Sequence, residues 1–264
     1  MSTVAKTVES NGSHWYEKTG EPRHVIDRSD GKGQRPTTLR DARKYGWLPS
    51  VTNVLRAIDK PMLNTWKTEM ACLAVLTAPR KEGEELDAFV HRVLHVERQQ
   101  DQEAARARDK GVEVHDAIEH ALKGQSIPDG MAVYVDPVIA ELKQFGEVMA
   151  TERIVVGDGY AGKLDAMLKN KDITTILDFK TTKTLPKYGS WSDNKLQLSA
   201  YAQAVSKSEE EVQTANLYIS TTEPGKVVLD VHDDWWATYR DGFLPVLWYW
   251  SWANDYKPHI DWTT

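Results

Sequence analysis

The sequence predicts an α/β fold, a small mixed sheet flanked by helices, preceded by a helical N-terminal half. Three observations carry this. Arg153–Val156, Tyr160–Leu168 and Ile173–Lys180 are short runs with strand character, separated by Gly157-Asp158-Gly159 and Lys169-Asn170-Lys171-Asp172, which read as turns. A segment of helical period, Asn194–Val205, then parts these runs from further strands at Ala215–Ser220 and Val227–Val231. Upstream, residues 49–110 carry apolar positions at helical spacing.

Composition bounds the possibilities. The 264 residues are 41% hydrophobic and 27% charged, ordinary for a globular chain able to bury a core without disulfides or structural metal. No apolar run is long enough for a membrane span. The single Cys72 excludes a disulfide scaffold, a four-cysteine zinc site and a cysteine-ligated iron–sulfur cluster. With 33 basic against 39 acidic residues the net charge is −6, so a phosphate-handling site must be locally basic or supplied with metal. The first ten residues hold no apolar signal stretch, and an intracellular, reducing compartment is expected.

Taken in order, residues 1–48 read as an arm. Residues 1–12 are small and polar, a hairpin is expected from His14 to Ile26 around Thr19-Gly20-Glu21-Pro22, and Asp27–Thr38 reads as loop. Residues 49–110 read as a helical region. Ser50 or Thr52 caps a helix to Ile58, Met62–Thr77 forms the next, and Glu82–Lys110 a charged third with Leu86, Phe89, Val90, Val93 and Leu94 as its stripe. From 111 to 264 the pattern is a helix at Gly111–Leu122, another at Val133–Met149, and then the strands and helix already described. Six of the ten tryptophans follow Asp233, in a segment that Pro245 divides into two core-packing helices.

The chemistry concentrates on the second and third of these strands. With a four-residue loop at 169–172, Leu168 faces Ile173, Asp165 lies opposite Ile176 and Asp178 opposite Lys163. Alternation puts Asp165, Asp178 and Lys180 on one face, the carboxylates as diagonal neighbours with Cα atoms roughly 7–8 Å apart. Two converging carboxylates repel unless they share a proton or a cation, and a hard divalent ion relieves that conflict. An exposed hairpin with a wet acidic face is the alternative. His115 sits beside the apolar stripe of its helix with Glu119 one turn on, and Gln197 and Tyr201 align at i, i+4.

Gly111-x-x-x-His115, Glu152, Gly162-x-x-Asp165, Asp178-Phe179-Lys180-Thr181-Thr182 and Gln197-x-x-x-Tyr201 occur together in this order. The set resembles the RecB-like branch of the PD-(D/E)XK nuclease superfamily, whose core order is αβββαβ. Leu48-Pro49-Ser50-Val51-Thr52 and Trp66-Lys67 extend the likeness toward mitochondrial genome maintenance exonucleases and phage-encoded relatives, over roughly residues 48–205. The resemblance implies a metal held by His115, Asp165, Asp178 and the Phe179 carbonyl. Lys180 would orient or help deprotonate the attacking water and stabilise charge on phosphate. Gln197 and Tyr201 would position the nucleic-acid backbone, with Glu119 and Glu152 in support. Mg²⁺ or Mn²⁺ suits such ligands, and the iron–sulfur cluster of the CRISPR-associated branch does not carry over.

Thr181, Thr182 and Lys183 continue that motif, and Lys163, Lys180, Lys183, Lys187 and Lys195 cluster around it. Ser50 and Thr52 either contact phosphate or only cap their helix. Arg106, Arg108 and Lys110 could form a ridge along the nucleic-acid backbone, with solvated charge as the alternative, and His91 and His95 find no third ligand. The aromatic run Trp248-Tyr249-Trp250-Ser251-Trp252 reads as core packing, with base stacking as the other use. The implied function is a metal-dependent DNA exonuclease acting on single strands or strand ends, in the cytoplasm of a bacterial cell or phage-infected host, with the helical region as a clamp that admits a strand. A structure-specific endonuclease and a catalytically silent DNA-binding subunit are the alternatives.

Overall fold

A computed structural model describes residues 14–59, 61–100, 102–187, 189, 192–206 and 211–258; for 61–63, 66–67 and 95–108 it describes backbone alone. Expectations for residues 1–12 and for the side chains of Trp66, Lys67, His95, Arg106 and Arg108 therefore lie outside the described residues. The chain divides into two units, one running up to Ala57 and resuming at Val114, the other Ile58–Glu113.

The first unit is built on five strands in sequential order, β5 (Glu147–Gly157), β6 (Tyr160–Asn170), β7 (Ile173–Thr182), β8 (Val212–Ser220) and β9 (Val227–His232). All neighbours are antiparallel except β7 and β8, which run parallel because α7 (Ser192–Val205) carries the chain between them. One face is sealed by α6 (Ala132–Leu142) and the C-terminal half of α5 (Gln102–Leu122). There Val114, Ile118, Val135 and Val138 pack with Leu168, Leu177, Phe179, Leu217 and Ile219. The other face carries Asp178, Asn216 and Tyr218 and meets α7, whose Asn194 donates to the Tyr218 hydroxyl at 2.9 Å. The α/β expectation thus holds, as helix, three antiparallel strands, helix and a parallel strand.

Several boundaries differ from expectation, each for a local reason. The helix expected to reach Met149 ends at Leu142, and after a turn of 3-10 helix over Lys143–Phe145 the strand begins at Glu147. Gly146 makes the change of direction at φ +84°, where a Cβ would lie 2.2 Å from the Lys169 carbonyl oxygen. The hairpin loop tightens from four residues to Lys171-Asp172, with Lys171 left-handed at φ +55°. Its register therefore runs Asn170↔Ile173 to Ala166↔Leu177, two residues from the expected pairing. An even slip keeps every side chain on its expected face within the ladder.

The N-terminal arm is more structured than expected. β1 (Trp15–Tyr16) pairs with β4 (Leu48–Pro49), and only the bridge Tyr16↔Pro22 closes the expected 14–26 hairpin. Part of the expected loop is a strand, β3 (Gln34–Pro36), paired with β2 (Val25–Asp27). α1 (Leu39–Tyr45) follows a capping box between Thr38 and Asp41. α2 (Val51–Leu55) is capped by Ser50, whose hydroxyl accepts from Asn53 N at 3.1 Å.

At the C-terminus, α8 (Trp235–Thr238) continues through a π-turn over Tyr239–Phe243 into α9 (Leu244–Ala253). Pro245 closely follows the π-turn, and the helical run passes through it without the break expected there. Trp250 is buried, whereas Trp248, Tyr249 and Trp252 are exposed, so core packing accounts for only part of the aromatic run.

The second unit comprises α3 (Pro61–Thr77), α4 (Leu86–Gln100) and the start of α5. α5 runs unbroken through Gly111, so that glycine does not open a helix as expected. Phe89 and Val93 are buried, and Arg92 pairs with Glu84 at 2.7 Å while lying over the Phe89 ring. Among the described residues no helix is long and apolar enough to cross a membrane.

Candidate functional site

The β6–β7 ladder stops at Ala166↔Leu177. Just past that pair, where the next backbone bond would lie, the Asp165 side chain takes over. Its Oδ2 accepts the Phe179 N–H at 2.7 Å. Asp165 and Asp178 are therefore the first residues beyond the last pair, and not the expected diagonal neighbours across a continuous ladder. The strands part here because a carboxylate has replaced a carbonyl as acceptor.

Burial and the Asp178 charge push the Asp165 carboxyl up to about 7, against the opposing pull of Lys180, the Phe179 N–H and Lys163. Asp178 is almost fully enclosed: Oδ1 accepts from Lys180 Nζ at 2.8 Å and Oδ2 from Asn216 Nδ2 at 3.0 Å. Burial disfavours the Lys180 charge, but Asp178 and then Asp165 outweigh it and hold the ammonium above the ordinary lysine value.

α5 and α7 bring up the rest. His115 Nδ1 stands 3.7 Å from Asp165 Oδ2, and its ring meets Phe179 edge-on at 6.1 Å. Desolvation lowers its pKa, so it is a neutral imidazole able to ligate. From α7, Gln197 Oε1 lies 3.4 Å from Lys180 Nζ, and Gln197 Nε2 donates to the Tyr201 hydroxyl at 3.1 Å. Tyr201 is buried, with its hydroxyl pKa raised by that burial. Its ring fills the space above Gly162, where a Cβ would fall 2.4 Å from Cε1. The glycine of Gly162-x-x-Asp165 is there to admit that ring.

Other expected site residues are engaged elsewhere. Glu119 pairs with Lys123, just past the end of its helix. Glu152 pairs with Lys163 and sits at φ +49°, a left-handed residue within β5. Thr182 Oγ1 donates to Thr184 O at 2.9 Å, Thr181 is half-buried, and Lys183 is exposed at the strand end. Ser50 caps α2 and lies 3.0 Å from the Thr52 hydroxyl, which supports the capping reading. Ser50 also bridges to Ala161, which brings α2 beside β6.

Among the described residues no three His, Cys, Asp or Glu side chains are arranged as a ready metal cage. The reason is visible at Asp178, whose two oxygens face Lys180 and Asn216. In kind the donors still fit a hard divalent ion: a neutral imidazole, and a carboxyl whose ionisation its neighbour opposes. A cation beside Asp165 would favour the ionised form that Asp178 now resists.

Asn216 and His232 were missed at the sequence level. His232 Nε2 lies 3.1 Å from Asn216 Oδ1, and both residues are buried. The available signal was an asparagine inside the otherwise apolar Ala215–Ser220 run, since a buried amide requires partners.

Comparison with protein-family models and with curated proteins returns no match. A crystal structure described as that of SSO0001 matches at 18% identity over 36% of this chain and 45% of the other, with a TM-score of 0.25. A likeness that weak identifies neither a shared fold nor an activity, and the match spans less than half of that protein.

Proposed function

We propose that the chain is a metal-dependent DNA exonuclease of the RecB-like PD-(D/E)XK type, hydrolysing phosphodiesters from single strands or strand ends. One observation carries the reading: Asp165, Asp178 and Lys180 meet where β6 and β7 part, with His115 and Gln197 beside them. The element order α6, β5, β6, β7, α7, β8 supports it, being the αβββαβ order of that superfamily. So does the assembly of motifs from four separate elements around one point.

The division of labour follows from the local electrostatics. Lys180, held by Asp178, would donate to the attacking water or to a phosphate oxygen and stabilise negative charge there. Gln197 accepts from that ammonium, and Tyr201, which accepts from Gln197, braces α7 against β6. His115, Asp165 and the Phe179 carbonyl would hold Mg²⁺ or Mn²⁺, joined by Asp178 once Lys180 yields one of its oxygens. Such an ion would offset the negative charge that hydrolysis builds on the phosphoryl group.

The silent-subunit alternative has one observation in its favour, the engagement of both Asp178 oxygens. A single assay separates the readings: end-labelled linear single- and double-stranded DNA beside a covalently closed circle, each with Mg²⁺ or Mn²⁺. Linear strands should be shortened and circles spared. Cutting of circles at the same rate points to an endonuclease, and binding without hydrolysis to a silent subunit.

A further inference from the structure

We infer that Asn216, oriented by His232 behind it, is the positioning residue that aims the Asp178 carboxylate at its partners. The inference rests on the reading of Asp178 and Lys180 as the reacting pair. In the parallel register Asp178 stands directly beside Asn216, and in the next pair Asn216 stands beside Asp230. These three residues therefore form one row across three adjacent strands.

An amide can face a neighbour with either end, and here chemistry allows one. Asp178 Oδ2 accepts, so Asn216 presents Nδ2 to it at 3.0 Å. That leaves Oδ1 facing His232 Nε2 at 3.1 Å, so His232 must carry its hydrogen on Nε2. His232 Nδ1 stands 3.9 Å from Asp230 Oδ2, too far for a direct hydrogen bond. The imidazole thus keeps Asn216 from flipping, and Asn216 leaves Asp178 Oδ1 to Lys180. The same chain reaches Gln197 and Tyr201 through Lys180. Asn216 is fully buried and His232 nearly so, which shields the arrangement from competing water.

The test compares His232→Leu, which cannot donate, with His232→Gln, whose amide can still donate to Asn216 Oδ1. In metal-free protein the wild-type His232 should give the ¹⁵N pattern of the Nε2–H tautomer. The ¹³C resonance of the Asp178 carboxyl should move in His232→Leu and stay near its wild-type position in His232→Gln. On linear single-stranded DNA with Mn²⁺, His232→Leu should lose about tenfold or more in kcat with KM little changed, the range seen when an outer partner of a site is removed. His232→Gln should keep most of the rate. An Nδ1–H tautomer, or equal kcat losses in both variants, would overturn the assignment. If the wild-type protein hydrolyses nothing, the nuclease reading falls alone, because the tautomer and the Asp178 resonance still decide the role of Asn216.

Discussion

At the scale of single residues, the site is a conflict between charges in a confined space. Asp165 is raised to about 7 by burial and by Asp178. A carboxyl raised in the folded state binds more protons there than in the unfolded chain between about pH 4 and 7, so its contribution to stability is lost as pH rises through that window. Measured against Asp165→Asn, metal-free wild-type protein should therefore lose thermal stability from pH 5 to 7.5. At pH 7.5 the variant should melt higher by about 2–4 °C, the shift that 1 kcal/mol produces in a domain of this size. A lower melting temperature at both pH values would show the repulsion to be unimportant. For activity, Asp165→Asn, Asp178→Asn and Lys180→Ala should each cost roughly 10²–10⁴-fold in kcat, and the double variants hardly more, because the groups act as one unit. Near-wild-type turnover in Asp178→Asn would falsify the nuclease assignment.

At the scale of elements, two glycines hold the geometry by what they leave out. Gly162 admits the Tyr201 ring, so a methyl there must displace α7 or the ring, and with it Gln197 and Lys180. Gly162→Ala should reduce hydrolysis far more than it reduces melting temperature, with Tyr201→Phe as the control that keeps the ring. Gly146 is different: its left-handed turn lies against the backbone of Lys169, which cannot rotate away. Gly146→Ala should destabilise by about 1–3 kcal/mol, the usual cost of such a strained position, as read by denaturant unfolding. A variant as stable as the parent would mean that the 3-10 turn before β5 relaxes freely. The slip of the β6–β7 hairpin belongs at this scale too. Loop length cannot be read from Lys169-Asn170-Lys171-Asp172 alone, because Lys171 had to adopt a left-handed conformation to allow the two-residue turn.

At the scale of the whole molecule, the net charge of −6 must be reconciled with a polyanionic substrate. Divalent metal and local bases are the means proposed. Millimolar Mn²⁺ should raise the melting temperature, since it binds the native site and relieves the repulsion at Asp165, and Asp165→Asn should shrink that increment. A melting temperature indifferent to Mn²⁺ would leave the enclosed acidic pair as a structural cluster with Lys180 and no metal site. Binding to single strands should weaken with salt along a slope that reports only a few phosphate contacts.

The α/β class, the helix, three-strand, helix, strand order of the core and the shared strand face of Asp165, Asp178 and Lys180 were legible in the sequence, because alternation and helical period are local properties of the chain, whereas His115, Gln197 and Tyr201 were singled out only by the ordered motifs of the resemblance. The helix that the Thr38–Asp41 capping box opens went unassigned, because Asp27–Thr38 reads as loop. Tertiary structure decided the rest. Only packing reveals that β6 leaves its ladder at Asp165, that Gly162 lies under the Tyr201 ring, and that Glu119 turns to Lys123. Nor could sequence separation suggest that Asn216 and His232 stand behind Asp178, since the parallel β7–β8 pairing joins residues 38 apart in the chain. Such contacts depend on register and on the burial of polar groups that must find partners, and both are set by the folded sheet as a whole.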